Sequence, residues 1–89
     1  MPKIRFTNRL VRHVDCPAGE VQGATVLEAL RSYFETNSEV EGYVLDECES
    51  LRPNMAIFVD GQPISDRCNL HQAVDRESVI DVIQALTGG

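Results

Sequence analysis

Residues Thr25 to about Thr36 constrain the fold more than any other stretch of this chain. Val26, Leu27, Leu30, Tyr33 and Phe34 recur at the i, i+3, i+4, i+7 spacing that gathers them on one face of an α-helix. Thr25 and Glu28 have the S/T-x-x-E spacing of a capping box, in which each side chain satisfies a backbone donor at the helix start. Arg31 and Glu35 stand four apart on the predicted solvent side, and Asn37 is the predicted stop. A helix with one apolar stripe is stable only against a second layer. The remaining apolar residues recur with the shorter period of strands.

Lys3-Ile4-Arg5-Phe6-Thr7 alternates polar and apolar residues, which predicts a half-buried strand with Ile4 and Phe6 inward. From Asn8 to Gly23 the apolar residues Leu10, Val11, Val14 and Val21 are interrupted by Pro17 and Gly19, so an irregular stretch and then a short strand near Glu20–Gln22 are expected. Ser38 to Asn54 reads as a long connection carrying the cluster Tyr43-Val44-Leu45 and then Leu51. Met55-Ala56-Ile57-Phe58-Val59 is strand-like and ends at Asp60-Gly61, a strong hairpin signal. Gln62-Pro63-Ile64 should return antiparallel, with Pro63 favouring an edge because it has no backbone donor. Asn69 to Asp75 has room for a single turn. Ser78 to Ala85, with Val79, Ile80, Val82 and Ile83, reads as a central strand covered on at least one face. The order strand, strand, helix, strand, strand, strand fits a β-grasp fold of the α+β class. It predicts a mixed four- to five-stranded sheet, with the first and last strands parallel in the middle and the one main helix (about 25–36) packed on one face.

Eighty-nine residues suit one domain, expected over 1–85, followed by a tail over 86–89. So small a core leaves little room for a deep active site, and the chain is expected to be a monomer when free and not itself an enzyme. No apolar run reaches the ~20 residues needed to span a bilayer, and the N-terminus carries no signal-peptide core. Three cysteines without dense spacing fit a reducing compartment, so a cytoplasmic location is expected. The net charge of −6 is uneven, at −1 over residues 1–45 and −5 over residues 46–89. Nucleic acid and anionic membranes are therefore poor partners, and a basic protein surface is the better match. The small basic stretch Lys3, Arg5, Arg9 and Arg12 lacks interleaved aromatics and reads as a surface ion-pair network.

The sequence ends in Leu86-Thr87-Gly88-Gly89, directly after the predicted central strand. Two residues without Cβ make a slender segment that can approach another protein's backbone closely. From Ala85 to Gly89 the extended chain reaches at most ~17 Å, enough to enter a partner's cleft while the body stays outside. The Gly89 carboxylate is the reactive group at its tip, and a carboxylate is a poor electrophile until another enzyme activates it.

Together these features resemble the ubiquitin-like sulfur carriers of the MoaD/ThiS family. The resemblance covers nearly the whole chain: the strand Ile4-Arg5-Phe6, the helix start Gly23-Ala24-Thr25-Val26-Leu27-Glu28-Ala29-Leu30, the hairpin Ile57-Phe58-Val59-Asp60-Gly61, and the ending from Ile80-Asp81-Val82 to Leu86-Thr87-Gly88-Gly89. It implies that an E1-like enzyme adenylates Gly89, using ATP in trans, and that a sulfurtransferase or cysteine desulfurase system then supplies sulfur to form a thiocarboxylate. A biosynthetic enzyme of a molybdopterin, cysteine, thiamine or specialised thio-metabolite pathway would accept that sulfur. Gly88 would keep the tail slender, Leu86 would be an apolar contact for the partner at the tail's base, Thr87 would belong to the same docking tail, and no cofactor would be bound. Two other classes share these features: a ubiquitin-like modifier that forms an isopeptide bond through Gly89, and a non-covalent β-grasp binding module.

Two further groupings stand out. Asp46, Glu47 and Glu49 form an acidic cluster on the long connection, either a solvated loop or a docking patch for a basic groove on the activating enzyme. His13-x-x-Cys16 and Cys68-x-x-His71 supply a Cys₂His₂ set for zinc, although neither pair carries the glycine turn of a zinc knuckle, so the expectation is no bound metal. The same residues lack the strained turn or oxyanion signature of a Cys/His nucleophile.

Overall fold

A computed structural model describes residues 1–6 and 17–84. Among these, β1 (Lys3–Phe6) and β2 (Gly19–Glu20) precede α1 (Val26–Thr36) and α2 (Ser38–Val44), and β3 (Met55–Val59), β4 (Gln62–Pro63) and β5 (Val79–Gln84) follow. The expectations for Leu10, Val11, Val14, Arg9 and Arg12 lie outside the described residues.

The five strands form one sheet in the order β2-β1-β5-β3-β4. The first and last strands lie side by side and parallel in its middle, with Ile4 opposite Ile80 and Phe6 opposite Val82. On its other side β5 runs antiparallel to β3, with Ile57 opposite Val82 and Val59 opposite Ile80. Period-two alternation fixes what each strand buries. Ile4, Met55, Ile57, Ile80 and Val82 point into the core, which α1 closes with Val26, Leu27, Ala29, Leu30, Tyr33 and Phe34. Phe6 packs its ring 4.9 Å from that of Tyr33. No helix among the described residues is long and apolar enough to cross a membrane.

The start of α1 is tied down from two directions. Thr25 Oγ1 accepts the Glu28 backbone N–H at 3.1 Å, while Glu28 Oε1 accepts the N–H of Ala24, one residue before the cap, at 3.0 Å. The next two free donors, Val26 N–H and Leu27 N–H, go to the carbonyls of Gln72 and Leu70 at 2.9 and 2.8 Å. The stretch Asn69 to Asp75 therefore makes no turn of its own. It runs past the helix start, bridging Ala73 to Thr25, because the helix donors capture its carbonyls. Replacing Thr25 by alanine removes the side-chain cap and should cost about 1 kcal/mol in urea-unfolding experiments.

Three local expectations are revised. The long connection contains the helix α2, which buries Val40 and Val44, four residues apart. Asn37 ends α1, donating from both its backbone and Nδ2 to the Tyr33 carbonyl, and α2 begins at the next residue. The short strand near Glu20–Gln22 lies at Gly19–Glu20, since Val21 turns inward and donates its N–H to the Pro2 carbonyl. Arg31 does not pair with Glu35 but with Glu49. The fork of two contacts at 2.6 and 3.0 Å offers better geometry than an i, i+4 pair worth a few tenths of a kcal/mol.

The hairpin follows its sequence signal. Asp60 and Gly61 have φ of 52° and 86°, the left-handed pair that a tight two-residue turn needs, and Pro63 lies on the edge strand β4. Asp60 also exchanges two hydrogen bonds with Val79, through its N–H and its Oδ1, fastening the turn to the start of β5.

Candidate functional site

The chemistry expected from the sequence belongs to the segment after β5, and the fold sets where that segment begins. β5 is paired with β1 as far as Val82 and with β3 as far as Gln84. Leu86, Thr87, Gly88 and Gly89 follow in the sequence and lie outside the described residues.

Beside β5, the face of the sheet turned away from the helices carries Arg5, Ala56, Phe58, Val79, Asp81 and Ile83, the positions alternating with the buried ones. Arg5 and Asp81 stand opposite each other in the β1–β5 register and are joined by two contacts of 2.7 and 3.0 Å. Phe58 and Ile83 are half-buried and border the same shallow depression of about 410 Å³. Sequence reasoning missed this face, although the signal was there: Ala56 and Phe58 on β3 and Val79 and Ile83 on β5 are apolar at outward positions. The arrangement can seat an apolar partner surface with a fixed charge pair, next to the strand that leads to Gly89.

The acidic connection is partly spent on its own structure. Asp46 Oδ1 accepts the N–H groups of Cys48 and Ser50 at 2.8 and 3.0 Å, closing a turn in which Glu49 takes a φ of 60°. The Arg31 guanidinium holds the Glu49 carboxyl below the usual carboxylate range, chiefly by hydrogen bonding. Glu47 is exposed, with no hydrogen bond or ion pair among the described residues. Of the three acids, it alone has a carboxylate wholly available to a partner.

Cys68 and His71 are exposed at the rim of one cavity. His13 and Cys16 lie outside the described residues, so the four-residue set cannot be placed as a unit. Among the described residues no three His, Cys, Asp or Glu side chains converge as metal ligands.

Asp66 accepts backbone N–H bonds from Asn69 and Cys68, which hold its carboxyl below the ordinary range. A carboxyl with a lowered folded-state pKa contributes stability that is complete above its unfolded value, 3.8 for Asp66 and 4.5 for Glu49, and is lost as pH falls through the folded value. Melting temperature should therefore fall as pH drops below about 4.5, and Asp66→Asn should shallow that fall while lowering Tm at neutral pH. Thermal melts from pH 7 to 3 would show this. A variant curve parallel to that of the unaltered protein would show that the turn's charge is immaterial.

No protein-family profile matches the chain, and no curated protein matches it in sequence. Solved structures do. A chain of the Amycolatopsis orientalis BexX/CysO complex superposes with a TM-score of 0.83 at 19% identity, over 100% of both chains. Mycobacterium tuberculosis CysO gives 0.81 at 13% identity, over 97% of this chain and 100% of that one. SAMP1 from Haloferax volcanii gives 0.77 at 18% identity, over 99% and 98%. With nearly whole chains superposed and a parallel β1–β5 pair at the sheet centre, this chain has the ubiquitin-like β-grasp fold.

Proposed function

We propose that this chain is a sulfur carrier whose working atom is the carboxyl carbon of Gly89. The observation that carries this reading is the position of β5: the central strand, locked between β1 and β3, is followed within five residues by Gly88-Gly89. A tail of that length can enter a partner's active site while the body docks outside it. In an E1-like enzyme the Gly89 carboxylate attacks the α-phosphorus of ATP, expelling pyrophosphate and forming an acyl adenylate. A sulfur nucleophile from a sulfurtransferase or cysteine desulfurase system then adds to the carbonyl and AMP leaves. Where the donor is a protein persulfide, a thiol then attacks the donor-side sulfur of the resulting acyl disulfide, forming a new disulfide with the donor and releasing the thiocarboxylate. The thiocarboxylate sulfur bonds to an acceptor held by a biosynthetic enzyme, and water then attacks the acyl carbon, leaving the sulfur on the acceptor and Gly89 as a carboxylate. ATP serves the activating enzyme in trans, and the carrier binds no cofactor.

A second reading is supported by the structural likeness to SAMP1, since another match is named a small archaeal modifier protein. There a lysine amine of a target attacks the same adenylate, giving an isopeptide bond and AMP.

Intact mass spectrometry after incubation with ATP, the activating enzyme and a sulfur donor separates the two readings. Exchange of one oxygen for sulfur supports the carrier, and an adduct to another protein's lysine supports the modifier. A chain left unmodified in the presence of a competent activating enzyme would leave a non-covalent binding module.

The outer sheet face is the surface on which the body would dock. Phe58→Asp places a charge amid that half-buried apolar patch and is expected to raise the KM for adenylation by roughly tenfold or more. Circular dichroism should show the fold retained. Unchanged adenylation kinetics would move docking elsewhere. Glu47→Lys should act differently, slowing association and steepening its salt dependence.

A further inference from the structure

Two thiols outside the tail face a common space between two loops. Cys48 and Cys68 are both free and exposed, and both line one cavity of about 390 Å³ whose walls include Leu27, Leu70, Arg31 and His71. The loops are already joined, for Ser50 Oγ donates to the Cys68 carbonyl at 3.0 Å and Leu51 N–H donates to the Arg67 carbonyl at 2.9 Å. Each cysteine also sits two residues after an aspartate that accepts its backbone N–H, Asp46 for Cys48 at 2.8 Å and Asp66 for Cys68 at 2.9 Å. The two Asp-x-Cys turns hold both backbones in place and leave both side chains open to solvent. No third His, Cys, Asp or Glu converges with them as a metal ligand among the described residues.

We propose that Cys48 and Cys68 are a redox-active dithiol that a small-molecule disulfide oxidises to an internal disulfide. One thiolate attacks a sulfur of the small disulfide, a protein–small-molecule mixed disulfide forms, and the first small thiol leaves. The cavity has room for that adduct. The second cysteine then attacks the protein-side sulfur, expels the second small thiol and closes the Cys48–Cys68 bond. Two electrons pass to the small disulfide, and the two thiol protons end on the released thiols. The bond spans the chain from residue 48 to 68, enclosing β3, the hairpin and β4. It also anchors the loop whose Leu70 and Gln72 carbonyls receive the first donors of α1. Closing a loop of this length restricts the unfolded chain and should raise Tm by on the order of 10 °C.

The test is incubation of the full chain with glutathione disulfide, followed by intact mass and tryptic mapping. Cleavage after Arg12, Arg31, Arg67 and Arg76 places Cys16, Cys48 and Cys68 in three separate peptides, 13–31, 32–67 and 68–76. The expected product has lost the mass of two hydrogens, links peptide 32–67 to peptide 68–76, and melts higher than the reduced protein. Cys48→Ser and Cys68→Ser should each stop at the mixed disulfide, while Cys16→Ser should leave the internal bond unaffected. A link to peptide 13–31, a disulfide-joined dimer, a mixed disulfide that persists in the unaltered chain, or no reaction would overturn the proposal.

Discussion

Gly23→Ala is expected to destabilise the folded protein by about 3 kcal/mol or more, because two costs coincide at that position. Gly23 has a φ of +149°, a backbone conformation that residues with a Cβ rarely adopt. A Cβ there would lie 2.6 Å from the Ala29 nitrogen and 2.8 Å from the Glu28 carbonyl carbon, both backbone atoms of the first turn of α1. Neither can give way without moving the helix start, where Thr25, Glu28, Leu70 and Gln72 all make their capping bonds. For a domain of this size, 3 kcal/mol corresponds to a fall in Tm of roughly 12–24 °C, a large share of the 5–15 kcal/mol that holds such a domain together. Gly61→Ala is the matched control. Its φ of +86° is also unfavourable, but nothing lies within 4 Å of the added Cβ, so only the conformational cost of roughly 1–2 kcal/mol should appear. Urea unfolding of both variants would separate packing from backbone strain, and equal losses would show that the close approach to α1 is not the cause.

What the sequence disclosed and what it hid follow from the range over which each feature is determined. Helix α1 was legible because its apolar residues obey one period and its cap lies within four residues of the first turn. The hairpin was legible because Asp60-Gly61 is a local conformational demand, met by φ of 52° and 86°. The parallel β1–β5 pair was inferable because the element order fits a β-grasp, in which the first and last strands lie side by side beneath the main helix. Helix α2 was hidden because it has seven residues, buries only Val40 and Val44, and carries Gly42, which lowers helix propensity by about 1 kcal/mol. Its stability is tertiary: Arg52 donates from Nε to the Gly42 carbonyl and from its backbone N–H to the Val44 carbonyl, closing the helix end. The pairing of Arg31 with Glu49 was equally hidden, since 18 residues separate them and only the folded loop brings them together. The same holds for Cys48 and Cys68, which no spacing rule would couple. The tail was legible as a candidate site because Gly88-Gly89 needs no fold to be noticed. The outer sheet face beside it emerged only when the strand register showed which apolar residues point away from the core.

Removing Gly89 alone should abolish adenylation by more than about a hundredfold while leaving stability unchanged. Among the described residues the buried core runs from Ile4 to Val82. The shortened chain still ends in a glycine carboxylate, now that of Gly88, and keeps the chemistry of its nucleophile. What changes is reach, for one residue of extended chain is roughly 3.3–3.6 Å. With the body docked through the sheet face, the carboxylate falls short of the α-phosphorus by that distance, and a misplacement of 1 Å can already cost about a hundredfold. Gly88→Val keeps the length but adds a branched Cβ where the tail must thread between partner backbones, and it should also lose most activity. Adding a glycine after Gly89 keeps a glycine carboxylate at the tip and introduces the opposite positional error. Pyrophosphate release measured for the four chains, with Tm as the control, gives the result: all three altered chains should melt as the unaltered one does and adenylate far more slowly. A chain lacking Gly89 that adenylates within tenfold of the full-length protein would show that position along the tail is not what the activating enzyme reads, and the sulfur-carrier reading would lose its atom.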